Sequence, residues 1–472
     1  MRFLELFGYD RHGVVKEIPT TLNKGTLTTK EITLAALGFN APAWVTASSM
    51  SILYSISGHA APLAILIAYF FPMLMLALGL ILLTREAPSA AGIFTFTERF
   101  LHSRVGTILG WTYTLACAAV APMTAVIGAQ YLQVLIPGLH GEVMAEIIGT
   151  VMLVVFCIVS CRGVELTAKV AGIFLTFEIA VVAGLGILGI INPQVHNLSI
   201  ADMYSLKEAG GVAGIGPGVL FGVWMLANFD SSINYIEEAR VPVRTVQRSM
   251  LLVLTSAFVI YTLAAIGWQY AIPVDTLAKI VESGDGGPIA AVAKVYLPSS
   301  MLWLAIFVVV TSAIAGLQIS MNSGARTLYR MSCEGHLPAI FSKVNARKVP
   351  WLSTVTLTAV GVLLVWYKPL SKITWYYDVV TITLVFSYIA ALASFVRLIF
   401  KIRSRKVACI LMCPAVLAIA VLLYIAYTAG ATPVDPSDLY NAWYIGGAVI
   451  ISGLLISLSR SHQAVKLHTE MS

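Results

Sequence analysis

Long apolar runs, each interrupted by a short polar or basic segment, recur along the chain. A membrane-crossing helix needs about 20 mostly apolar residues. Runs of that kind lie near 30–57, 60–84, 105–135, 143–160, 168–192, 214–237, 249–272, 298–328, 352–367, 374–399, 408–429 and 440–459. The pattern predicts twelve spans, numbered here span 1 to span 12. The runs 143–160 and 352–367 are short, whereas 105–135 and 298–328 are long enough to tilt or to reach beyond the bilayer. The longest polar segments, near 193–213 and 273–297, are rich in Gly, Asp and Pro and leave room for short surface helices.

Two spans carry an internal break. Span 1 contains Gly38-Phe39-Asn40-Ala41-Pro42-Ala43. Pro42 lacks an N–H and clashes with the preceding turn, and Asn40 competes for backbone hydrogen bonds just before it. Span 6 opens with Gly214-Ile215-Gly216-Pro217-Gly218 and then runs into Asn228-Phe229-Asp230-Ser231-Ser232. One such break is a tolerated kink; two at matching positions of two five-span halves point to a transport site at the bilayer midplane. Five is odd, so the second half is expected to be inverted. The expected divisions are a segment 1–29, a first repeat 30–192, an inverted repeat 193–399, spans 11 and 12 over 400–459, and a tail 460–472.

Composition removes other classes of protein. The 472 residues are 58% hydrophobic and 11% charged, with a mean hydropathy of +0.86. A folded soluble chain needs a more polar exterior than this supplies. The net charge of +7 has a topological explanation. With the N-terminus placed in the cytoplasm, 25 of the 30 Lys and Arg fall on the inner side, leaving Lys207, Lys279, Lys294, Lys368 and Lys372 outside. That asymmetry predicts an even number of spans with both termini cytoplasmic, in a cytoplasmic (inner) cell membrane. It also accounts for the basic balance without a nucleic-acid partner. Residues 1–30 are charged throughout and lack a compact apolar core, so no cleavable leader is expected. Cys157/Cys161 and Cys409/Cys413 are each four apart, but no histidine accompanies them, and packing is the expected role. No histidine falls at mid-span, so a histidine proton relay is not expected.

Several stretches resemble the amino acid–polyamine–organocation superfamily of secondary transporters, in its amino acid permease-like branch. Pro88-Ser89-Ala90-Ala91-Gly92-Ile93-Phe94-Thr95-Phe96 follows span 2, and Gly110-Trp111 follows in span 3. Phe229-Asp230, Glu237-Glu238 and Pro242 resemble the family's aromatic–acid pair, double glutamate and proline. Ser323-Gly324-Ala325-Arg326-Thr327-Leu328-Tyr329 leads to Gly335-His336-Leu337-Pro338 after span 8. The resemblance implies an all-α, broken-helix 5+5 inverted-repeat (LeuT-like) fold with two further C-terminal helices, working by alternating access. It implies a substrate site formed by Phe39, Asn40, Ala41, Pro42 and Ala43 with Asn228, Phe229, Asp230, Ser231 and Ser232. The chain departs from the resemblance twice. Family members that carry α-amino acids have a Gly-x-Gly stretch in span 1 whose N–H groups bind the substrate carboxylate; here those glycines become Asn40 and Pro42. Counting from Gly163-Val164, the span 5 position where many relatives have a lysine is Glu178.

Buried acids are the remaining candidates, because ionisable groups inside a membrane are costly and default to function. Asp230 is read as a ligand for a substrate ammonium, with capping of the following half-helix as the structural alternative. Glu178 is read as the coupling group, with a neutral glutamate held by a neighbouring hydroxyl as the alternative. Glu237 and Glu238, with Phe229, are read as gate elements, the glutamates latching onto Arg240, Arg244 or Arg162. The expected activity is proton-coupled transport of a small amino acid or cationic amine or polyamine, with exchange or, further off, a channel as alternatives. No filter repeat argues for a channel. No His-x-x-x-His, Walker-type or Gly-x-Ser-x-Gly motif argues for an enzyme, so no catalytic residue, metal or cofactor beyond the coupling proton is expected. The lipid bilayer is the expected surrounding; the oligomeric state is left open.

Overall fold

The computed structural model of the chain describes residues 25–136, 138–162, 164–280, 286–367, 373–402, 405–431 and 447–458. Most of the expected segment 1–29, the tail 460–472, the first part of span 12 and Gly163 lie outside the described residues. Every regular element among the described residues is helical, apart from one parallel bridge between Leu27 and Ala239. Seven segments are long and apolar enough to cross a membrane, and Trp351–Tyr367, Thr383–Ile399 and Gly447–Leu458 are shorter apolar helices.

The chain enters at α1 (Thr29–Asn40), started by a capping box in which Thr28 N–H donates to Glu31 and Glu31 N–H donates back to the Thr28 hydroxyl. Such a box satisfies two of the open donors at a helix start. Helix α1 stops at Ala41, and α2 (Pro42–Ser57) begins with proline at its first position, where a missing N–H costs nothing. Helices α3 (Ala61–Ala68) and α4 (Leu74–Glu86) form one bent span around Pro72. The short amphipathic α5 (Ile93–Phe100) then precedes α6 (Ser103–Leu135). Helix α7 (Glu142–Ser160) leads to α8 (Val164–Ile191), and α9 (Ile200–Met203) is a short connector.

Helix α10 (Gly211–Leu226) ends sixteen residues on, short of the span expected to 237. Ala227 is extended, Asn228 is left-handed with φ 68°, and a 3-10 turn runs from Phe229 to Tyr235. Helix α11 (Pro242–Ala271) follows, then α12 (Val274–Leu277), α13 (Gly287–Tyr296) and α14 (Leu302–Cys333). The polar segments expected to hold short helices do so, as α9, α12 and α13. Helices α15 (Trp351–Tyr367), α16 (Ile373–Ile399), α17 (Arg405–Ala431) and α18 (Gly447–Leu458) complete the chain.

Two packing features position the centre of the bundle. The 33-residue α6 and the 32-residue α14 lie along each other and frame the break in span 1. Helices α8 and α11 approach through glycines: a Cβ on Gly189 would fall 1.9 Å from the Gly267 carbonyl oxygen, and one on Gly267 would fall 1.9 Å from that of Gly186. Small residues permit this approach where lipid supplies no hydrophobic drive between helices. The crossing brings Glu178 of α8 and Tyr261 of α11 to the same buried region as the break.

Candidate functional site

The break in span 1 turns on Ala41, whose φ of 48° and ψ of 66° lie in the left-handed region. A residue with a Cβ rarely adopts that conformation. Gly316 on α14 gives it room, since a Cβ there would come within 3.3 Å of the Ala41 Cβ. Asn40 joins this break to the one in span 6. Its Nδ2 donates to the carbonyls of Met225 (2.8 Å) and Ala227 (2.9 Å), and its Oδ1 accepts from the Tyr261 hydroxyl. The last carbonyls of α10, which have no partner within their own helix, are thereby satisfied.

Asp230 lies in the 3-10 turn and is 4% exposed. Its Oδ1 accepts from the Tyr388 hydroxyl of α16 at 3.0 Å, and that hydroxyl accepts from the Asn228 N–H at 3.2 Å. Tyr113 and Cys117 of α6 lie within electrostatic reach. No cation among the described residues pairs with Asp230. The capping alternative does not hold in the form expected: the 3-10 turn starts at Asn228 with no side-chain cap. Phe229, Ser231 and Ser232 are fully buried beside Asp230 in sequence, and Ser232 Oγ lies 3.0 Å from Ser249 Oγ.

Glu178 is fully buried on α8. Ser312 of α14 donates its hydroxyl to Glu178 Oε2 at 2.5 Å, and the same hydroxyl oxygen accepts the Trp44 N–H at 3.1 Å. The Ala43 amide also faces the carboxylate, although Oε1 completes no hydrogen bond among the described residues. A carboxylate at a helix N-terminus meets the positive end of the helix dipole. Phe39, Asn40, Ala41, Pro42, Ala43, Phe229 and Asp230 are all buried at the two breaks. The structure joins those breaks directly through Asn40 and ties Glu178 to the start of α2.

Glu237 and Glu238 are buried at the arginine-rich end of α14, but with other partners than expected. Glu238 Oε2 lies 2.8 Å from Arg326, and Glu237 Oε1 lies 3.7 Å from Arg330. Arg240, Arg244 and Arg162 are exposed. Arg326 also stacks 4.7 Å from the centre of the Tyr235 ring. The Ala90 N–H donates to Glu237 at 3.2 Å, and Asn234 Nδ2 donates to the Ala90 carbonyl at 2.8 Å. Three separated sequence motifs therefore meet at one place. The chain before α1 joins them, with Leu27 N–H donating to the Glu238 carbonyl at 3.0 Å and Arg240 N–H to the Leu27 carbonyl at 2.9 Å. A separate groove of about 550 Å³, lined by Trp111, His336, Pro338, Phe341, Leu357 and Ile456 among others, does not touch the breaks.

Sequence reasoning found the breaks, Asp230 and Glu178. It missed Tyr388, Tyr261 and Ser312 as their partners, because single tyrosines and serines on apolar helices form no pattern. Arg326 stood within a quoted motif, and its charge inside an apolar span was the available signal.

Together these features define a multi-span helical membrane protein with two adjoining helix breaks and a buried acid at each. A family description for amino acid permeases matches residues 30–455, and the chain belongs to that family. It is similar to the uncharacterized amino acid permease YecA of Bacillus subtilis, with 23% identity over 56% of this chain and 59% of that protein. Over 72% of this chain and 68% of the other, it is 22% identical to the lysine-specific permease LysP of Lactococcus lactis. The branched-chain amino acid permease BcaP of the same species is 26% identical over 59% of this chain and 62% of BcaP. The match thus spans about three fifths of the length of YecA and of BcaP.

Proposed function

We propose that the chain is a secondary transporter for a small amino compound, an amino acid or an amine, and not an enzyme. The observation that carries this reading is Asp230: a buried acid in an unwound segment, with no described cation beside it. Removing one charge from water without a partner is expensive, and unwound backbone inside a membrane is tolerated where it lines a site. A substrate ammonium would supply the missing charge, and the neighbouring Phe229 ring adds a face of the kind that attracts cations. Membership of the amino acid permease family supports the same class of cargo.

The finer reading is twelve spans arranged as two inverted five-span repeats, 30–192 and 193–399, followed by spans 11 and 12. The two repeats rock about the breaks, both termini are cytoplasmic, and the host bilayer is the cytoplasmic membrane. The Glu237/Glu238 cluster with Arg326 and Arg330 is the inner latch. Glu178 carries the coupling proton: protonation would cancel the charge that now faces the start of α2 and loosen that contact. Exchange of one substrate for another is the second reading, favoured if flux requires substrate on both sides.

The test is uptake of labelled amino acids and amines by proteoliposomes holding the purified full chain. Saturable uptake that rises with an imposed proton gradient is expected. Asp230→Asn should cut apparent affinity at least tenfold while thermal unfolding changes little. Unchanged affinity in that variant would return Asp230 to a structural role.

A further inference from the structure

A helix N-terminus with open N–H groups is a ready site for an anion. At the start of α2 those groups are taken by the protein itself. Ala41 N–H donates to the Leu37 carbonyl at 3.1 Å, Pro42 has no N–H, Trp44 N–H donates to Ser312 Oγ at 3.1 Å, and Val45 N–H donates to the Ala41 carbonyl at 2.9 Å. The remaining amide of that turn, Ala43, faces the Glu178 carboxylate. Backbone donors can be counted completely, and here none is left for an incoming carboxylate. Glu178 is moreover a carboxylate already placed there, and a second would meet like charge.

Side chains do not make up the deficit. Both hydrogens of the Asn40 amide go to the Met225 and Ala227 carbonyls, and Asn40 Oδ1 is an acceptor. Ser232 pairs with Ser249. Ser231 Oγ has no partner among the described residues, but it is a neutral donor next to Asp230 in the chain, where an anion is repelled. The break in span 6 has the opposite character. It presents the negative end of the α10 dipole and the Asp230 carboxylate.

We propose that the ligand of this site carries an ammonium group and no free carboxylate, because Glu178 and Ser312 occupy the start of α2 while Asp230 stands without a cation. This rests on the transporter reading above and narrows its cargo from amino compounds in general to amines. A ligand ammonium pairs with Asp230 near Tyr388. A carboxylate on the same ligand finds no donor in the first turn of α2 and faces Glu178.

The experiment titrates the purified full chain in detergent with matched pairs and follows ligand-induced thermal stabilisation. The pairs are ethylamine and alanine, isoamylamine and leucine, phenethylamine and phenylalanine, putrescine and ornithine, cadaverine and lysine, and agmatine and arginine. The methyl ester of each amino acid is included to mask the carboxylate. At least one amine should bind tenfold or more tightly than its parent acid, and the methyl ester should follow the amine. Amino acids that bind while their amines do not would overturn the proposal and leave the transporter reading standing. Equal binding within a pair would overturn it too, since the carboxylate would then be accommodated. If no compound binds and none is taken up by proteoliposomes, the transporter reading fails and this inference falls with it.

Discussion

Glu178 is buried between two half-helices and a serine, and its charge is the feature a substitution removes most cleanly. Glu178→Gln keeps the shape and mimics the protonated form. In proteoliposomes with a one-unit pH gradient, coupling to one proton sustains at most about tenfold accumulation, the factor that equals about 1.4 kcal/mol. The variant should lose that accumulation and retain counterflow exchange. Accumulation that persists would assign Glu178 to structure alone. Asn40, Asp230 and Glu178 were legible in the sequence because a polar residue inside an apolar run is conspicuous. Their hydrogen-bond partners were not: Tyr388 lies 158 residues from Asp230, and Ser312 lies 134 from Glu178. Nothing in a single sequence marks one hydroxyl among many as the one a fold brings to an acid.

At the scale of elements, proline punctuation placed the break in span 1 to within a residue, since Pro42 sits well only at a helix start. The break in span 6 was placed correctly at Asn228, but its sequel was not foreseen: a 3-10 turn to Tyr235 in place of a resumed helix. The latch shows a related limit. Charge reading favoured arginines close to Glu237 and Glu238 in sequence, whereas α14 brings Arg326 and Arg330 from about 90 residues on. The glycine crossing of α8 and α11 gives an element-scale prediction. Gly267→Ala places a Cβ against the Gly186 carbonyl, so the helices must separate. Overpacking of this kind costs about 1–3 kcal/mol and would shift Glu178 away from its partners. A lowered thermal midpoint is expected, with weaker ligand binding. Gly184→Ala is the control, because a Cβ there meets nothing within 4 Å. Equal behaviour of the two variants would show that the crossing is not under constraint.

Over the whole molecule, the arginine-rich end gathers α5, the 3-10 turn, the end of α14 and the segment after it into one charged network. Beyond the latch, His336 Nε2 lies 2.5 Å from Glu98 Oε1, and His336 Nδ1 lies 2.6 Å from the Thr107 hydroxyl. Glu334 bonds Arg330 at 2.8 Å, and Arg330 in turn faces Glu237. Burial pushes the Glu334 carboxyl up to about 7, with Glu98 adding to the rise and Arg330 opposing it. Burial also acts to raise Glu98, but the hydrogen bond and charge of His336 outweigh it and leave that carboxyl below its usual value. The two groups have opposite signs in stability. A carboxyl raised in the folded state binds its proton more tightly there than in the unfolded chain, so its contribution falls as pH rises from the ordinary glutamate range to about 7. The Glu98 contribution is present above its unfolded value and is lost only as pH falls through its lowered one. Between about pH 5 and 7, Glu334 therefore makes the native state less stable with rising pH. Glu334→Gln removes that titration while retaining a hydrogen-bonding side chain for Arg330. Thermal midpoints of the purified protein, measured from pH 5 to 8, should fall more steeply in the parent chain than in the variant. Parallel curves would mean that Glu334 does not carry the titration.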